Sequence, residues 1–112
     1  MADKSRTSYY VQIATLDIDP SRLDDYHAAV AAHARAAVEK EAGVLALNAV
    51  ADRDNPARIT VLEIYRDRAA YESHLRAPHF LHYKTMVEKM VRSLTLTPVM
   101  PVALAAKPEF MP

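Results

Sequence analysis

From Ser8 to Ile18 the side chains sort by a period of two, yet both faces of the resulting strand are largely apolar. Tyr9, Val11, Ile13 and Thr15 share one face; Tyr10, Gln12, Ala14, Leu16 and Ile18 share the other. That pattern predicts a strand covered on both sides, unlike a small antiparallel sheet with one face in water. Asp19-Pro20 offers a side-chain acceptor and a pre-set φ, the signature of a helix start. Leu23, Tyr26, Val30, Ala34, Ala37 and Val38 then recur at three- and four-residue steps, and seven alanines between 28 and 37 favour helix. This helix is expected to end at Gly43 in a left-handed cap. Val44 to Ala51 and Arg58 to Tyr65 read as two strands joined by the turn-forming run Asp52-Arg53-Asp54-Asn55-Pro56. Asp67 caps a short helix, Arg68 to Arg76. Pro78 opens another, with Phe80, Tyr83, Val87, Met90 and Leu94 on one face. Residues 93–112 begin β-like but carry Pro98, Pro101, Pro108 and Pro112, which places this last strand at an edge or outside its parent sheet.

The order β-α-β-β-α-β, with the second α broken at Pro78, is the α+β ferredoxin-like pattern of a four-stranded antiparallel sheet with helices on one face. The second apolar face would be a large exposed patch on a monomer, so a homodimer packed sheet against sheet is expected, with the proline-broken tail reaching across. Residues 1–7 read as a loose polar leader, 8–106 as one domain and 107–112 as a C-terminal tail.

Composition then narrows the chemistry. A chain of 112 residues with a single glycine cannot build a Gly-rich phosphate loop or a dinucleotide fingerprint. With no cysteine it has neither a thiol nucleophile nor a disulfide, in keeping with a cytoplasmic protein. Fourteen basic residues balance fourteen acidic ones, which removes the electrostatic case for nucleic acid or an anionic membrane. No apolar run approaches the roughly 18 residues of a spanning helix.

Three polar side chains interrupt the strands: Gln12, Asn48 and Glu63. By alternation Asn48 falls with Val44, Ala46 and Val50, and Glu63 with Ile59, Val61 and Tyr65. A carboxylate between apolar neighbours needs a partner, so Glu63 is either a structural anchor or a site group; Asn48 is open to the same two readings. His74 stands on the short helix three residues after Tyr71, either packed or poised as a base beside Glu63. His74, His79 and His82 do not form a metal pattern, because Pro78 breaks the helix between the first two; no metal is expected. His27 and His33 border the apolar side of the long helix.

Glu41-Ala-Gly-Val-Leu-Ala-Leu, Asp54-Asn-Pro-Ala-Arg, Leu62-Glu-Ile-Tyr-Arg-Asp, Ala69-Ala-Tyr-Glu-Ser-His-Leu and Ala77-Pro-His-Phe occur in order over roughly residues 8–97. Together they resemble the antibiotic biosynthesis monooxygenase (ABM) domain family. The resemblance implies a dimeric α+β barrel and a pocket between sheet and helices. It also implies a cofactor-independent oxidation of a small phenolic or quinol substrate by O2. On matched blocks His74 becomes the base or hydrogen-bond partner, oriented by Glu63. Asn48 and Tyr65 would hold a substrate oxygen, and His33, Tyr71, His79, Phe80 and Tyr83 would contact substrate. The haem-degrading branch uses a tryptophan and an asparagine near the first strand; this chain has no tryptophan, and Gln12 stands nearest that place. Two alternatives stay open: an isomerase of a phosphorylated hydroxy-diketone, anchored by Arg66, Arg68 or Arg76, and a non-catalytic dimeric ligand-binding protein.

Overall fold

The computed structural model describes residues 8–110, so the expected leader (1–7) and the last two residues of the expected tail lie outside the described residues. Four strands form one antiparallel sheet: β1 (Tyr10–Ile18), β2 (Val44–Ala51), β3 (Arg58–Tyr65) and β4 (Val91–Val99), in the order β2-β3-β1-β4. Three helices cross one face: α1 (Leu23–Lys40), α2 (Arg68–His74) and α3 (Pro78–Val87). This is the ferredoxin-like α+β fold. No helix among the described residues is long and apolar enough to cross a membrane.

Local signals explain most boundaries. Asp19 accepts from the Ser21 backbone N–H at 3.0 Å and, with Pro20, opens a single 3-10 turn that runs into α1. Asp67 caps α2 by accepting from the Ala70 N–H at 2.8 Å. In the β2–β3 connection, Asp52 accepts from the Asp54 N–H and Asn55 from the Ala57 N–H. β4 is an edge strand, and Pro98 sits opposite Gln12 with no ladder donor lost to a further strand.

Three expectations need correction. α3 stops at Val87 and Leu94 lies in β4, because the period-two run from Val91 to Thr97 outcompetes the helical stripe once β1 is available to pair. Gly43 is no left-handed cap: α1 ends at Lys40, Glu41 is extended, and no glycine among the described residues has positive φ. The glycine is required by close approach instead, since a Cβ there would lie 2.5 Å from the Ala70 Cβ. Neither atom can swing aside without moving backbone. Gly43→Ala is therefore expected to cost about 1–3 kcal/mol in denaturant unfolding, and Ala70→Gly in the same chain to return part of it.

The third correction concerns register. Val44 opposes Tyr65, but Ala46 opposes Ile64, so β2 carries a bulge at Leu45. A bulge inserts one residue and exchanges the faces beyond it. Leu47 then opposes Glu63 under the helices, and Asn48 opposes Leu62 on the outer face, exposed.

The core fills the space between sheet and helices, with Leu16, Ile18, Ile59 and Val61 below Tyr26, Ala29, Val30 and Val87. A smaller cluster of Ala37, Val44 and Tyr65 closes the end near α2.

Candidate active site

Between sheet and helices lies a cavity of about 490 Å³, within the size range of small-molecule sites. β1 and β3 supply its floor through Gln12, Ala14, Glu63 and Tyr65. α1 contributes His33, α2 Tyr71 and His74, and α3 Phe80 and Tyr83. The wall is mostly apolar, with a few convergent polar groups. Of the residues singled out in the sequence, His33, Glu63, Tyr65, Tyr71, His74, Phe80 and Tyr83 line this one cavity. Asn48 and His79 are not among the cavity's lining residues.

Glu63 is anchored from two sides. Gln12 Nε2 donates to its Oε1 at 3.0 Å, and the Tyr65 hydroxyl donates to the same oxygen at 2.7 Å. The first contact follows directly from register, because Gln12 and Glu63 are cross-strand partners. Burial, and next the Glu63 carboxylate, push the Tyr65 hydroxyl far above the usual phenol range, so it stays a donor.

His74 is buried at 3% exposure, but its partner is not Glu63. Its Nδ1 lies 2.7 Å from Oε2 of Glu41, at the end of α1, and His79 Nε2 lies 2.5 Å from the same oxygen. His79 therefore turns toward Glu41. These three residues are also the chain's candidate metal ligands among the described residues, their donor atoms lying within 4.8 Å of one another. His82, the third histidine of the sequence cluster, is exposed and outside that set.

His33 and His27 part company. His27 is exposed, whereas His33 is buried and stacks on Tyr83 with centroids 4.4 Å apart and planes at 14°. The Tyr83 and Tyr26 hydroxyls meet at 2.8 Å, and burial raises the pKa of both. Burial, and next the neighbouring His74 and His79, push His33 down to about 4, so it is neutral near pH 7. Its Nδ1 is the one buried side-chain polar atom among the described residues without a hydrogen-bond partner.

A family model described as antibiotic biosynthesis monooxygenase matches residues 9–86. The chain belongs to that family. Among solved structures, a Bacteroides thetaiotaomicron VPI-5482 protein assigned to the same ABM family is 38% identical; the match covers 91% of this chain and 97% of that one, at a TM-score of 0.87. A Caulobacter crescentus CB15 structure shares the fold at 16% identity, over 89% and 95% of the two chains, with a TM-score of 0.81. A Lactobacillus acidophilus NCFM structure is 20% identical with a TM-score of 0.80; the match spans 82% of this chain but only 44% of that longer one. A search of curated proteins found no match.

Within this ABM chain, Glu41 and Gln12 are the site residues that sequence reasoning underused. Gln12 could have been paired with Glu63 once β1 and β3 were aligned. Glu41 gave no signal of its own: it sits 33 residues from His74, at a helix end where acidic residues are ordinarily solvated.

Proposed function

We propose that this ABM family member oxidises a small phenol or quinol with O2 inside the cavity, without a cofactor, and acts as a homodimer. The observation that carries this reading is an imidazole, His74, set in the wall of a mostly apolar cavity with its Nδ1 already engaged. Nε2 is then the nitrogen left to take a proton from the substrate hydroxyl. Deprotonation makes the ring electron-rich enough to pass one electron to O2. The resulting radical and superoxide combine at carbon; one oxygen atom stays in the product and the other leaves as water. The apolar wall keeps bulk water from these intermediates, and Tyr65, anchored on Glu63, lies beside the reacting ring. Phe80 and Tyr83 confine the substrate from above.

None of Arg66, Arg68 and Arg76 lines the cavity, so the arginines expected to anchor a phosphate in the isomerase alternative lie outside it, and Lys84 is the basic side chain in its wall. Oxygen consumption with a panel of benzo- and naphthohydroquinones and anthrones tests the proposal. Uptake above uncatalysed autoxidation, one O2 per substrate, is expected. Ligand binding with no acceleration for any member would favour a binding protein instead.

The homodimer is supported by the outer face of the sheet. Ile13 faces Leu62 there, both half-buried like Ile64, and Val50 beside them is 62% exposed, whereas Val11 is already covered within the chain. Apolar residues Met100 and Val102, at 82% and 95%, continue the uncovered surface along the chain after β4. A second copy would cover it, at roughly 800 Å² per partner for a standard interface. Leu62→Glu puts a carboxylate in the centre of that face and is expected to give a folded monomer in sedimentation. A dimer that persists unchanged would refute this arrangement.

A further inference from the structure

We infer that Glu41 and His79 are positioning residues that lock the tautomer of His74, an inference that rests on the proposed role of His74 as base. Glu41 Oε2 lies 2.7 Å from His74 Nδ1 and 2.5 Å from His79 Nε2. An ionised carboxylate has no proton to give, so both contacts require an N–H on the imidazole side. A neutral imidazole carries a single N–H. In the neutral form His74 consequently carries its proton at Nδ1 with Nε2 bare, and His79 carries its proton at Nε2 with Nδ1 bare. Without Glu41, His74 would be free to place its proton on Nε2, where it could no longer accept one from substrate.

Together with His79, Glu41 borders an open depression shared with Lys40 and Arg76, away from the cavity that His74 lines. The three side chains thus run from the cavity wall to the surface. A proton gained at His74 Nε2 produces an imidazolium whose Nδ1–H already faces the carboxylate, which stabilises the charge that the reaction creates. Both imidazoles meet Glu41 at hydrogen-bond distance, and added Zn²⁺ separates the lock from a metal centre held by the same three residues.

Long-range ¹H–¹⁵N spectra of the labelled full chain at mildly alkaline pH test the lock without any need for turnover. His74 is expected as the Nδ1–H form and His79 as the Nε2–H form; His74 protonated at Nε2 would overturn the inference. In Glu41→Gln the amide offers one acceptor and one donor, so one of the two imidazoles is expected to exchange its tautomer. Two unchanged tautomers in that variant would count against the lock. Equimolar Zn²⁺ added to the wild-type chain is expected to leave both histidine patterns in place. A saturable shift of both would overturn the inference in favour of a metal centre. With a quinol that is turned over, Glu41→Gln is expected to lower kcat about 10–100-fold, the usual cost of losing a supporting partner, with KM little changed. If no quinol is oxidised, the spectra still decide the lock. If quinols are oxidised but His74 has the other tautomer, the lock fails and the proposed activity stands.

Discussion

Oxygen consumption by the His74→Ala protein is expected to fall by about 10²–10⁴-fold, the range by which a positioned general base accelerates proton transfer. The loss should appear in kcat more than in KM, because Phe80, Tyr83 and Tyr71 still line the cavity. Alanine also removes one of the two imidazoles on Glu41, so a loss of fold could imitate a loss of chemistry. His74→Gln separates the two. Its amide N–H can still donate to the Glu41 carboxylate, but it has no nitrogen that accepts a proton near neutral pH. The glutamine protein should therefore unfold close to the wild-type temperature and remain as inactive as the alanine one. His27→Gln, on the exposed side of α1, should keep full activity. Wild-type rates in the His74→Gln protein would remove His74 from the chemistry and move attention to Glu63, the carboxylate in the cavity wall.

What the sequence made legible, and what it did not, follows from the range of each signal. Strand and helix periodicities and the Asp67 cap act over a few residues, and each is visible in a short window. Pro98 lacks a ladder donor, which leaves β4 an edge of the sheet or a place outside it, and pairing with β1 decides for the edge. Asn48 was misplaced because alternation assumes an unbroken strand, and one bulge at Leu45 reverses every face after it. Gly43 was understood as a special backbone conformation, whereas its cause is Ala70, a residue 27 positions on that only the folded chain brings near. The same limit hid the orientation of His74. Glu63 looked like its partner because both were polar groups expected at one pocket. The register instead gives Glu63 to Gln12 and Tyr65, and the end of α1 delivers Glu41 to His74. Short-range patterns and the family resemblance named several of the residues around the cavity, and long-range pairing decided which of them touch.

Stability is expected to fall as the solution is acidified from about pH 6.5 toward pH 4, with His33 the cause. Burial, and next the neighbouring His74 and His79, hold its folded-state pKa down to about 4, and the nearby Glu41 carboxylate opposes them only in part. In the unfolded chain the imidazole titrates near its ordinary value of 6.5. Above that value neither state binds the proton and stability is at its full level. Between about 6.5 and 4 the unfolded state binds more protons than the folded one, so each step down in pH favours unfolding. Below about 4 both states are protonated and this contribution levels off. A shift of this size corresponds to about 3 kcal/mol over the whole window, enough to move the folded-to-unfolded ratio by roughly two orders of magnitude. His33→Phe keeps a flat ring against Tyr83 and removes both the titration and the unpartnered Nδ1. At pH 7 that variant should be about as stable as wild type, since removing a buried polar atom without a partner, worth about 1–3 kcal/mol, is set against losing the hydrogen bond between His33 and the His79 backbone. Denaturant midpoints measured from pH 7.5 to 4 should then slope far less for His33→Phe than for the wild-type chain. Parallel slopes would mean that His33 is solvated well enough to protonate in the folded state, and that the acid sensitivity lies with other groups.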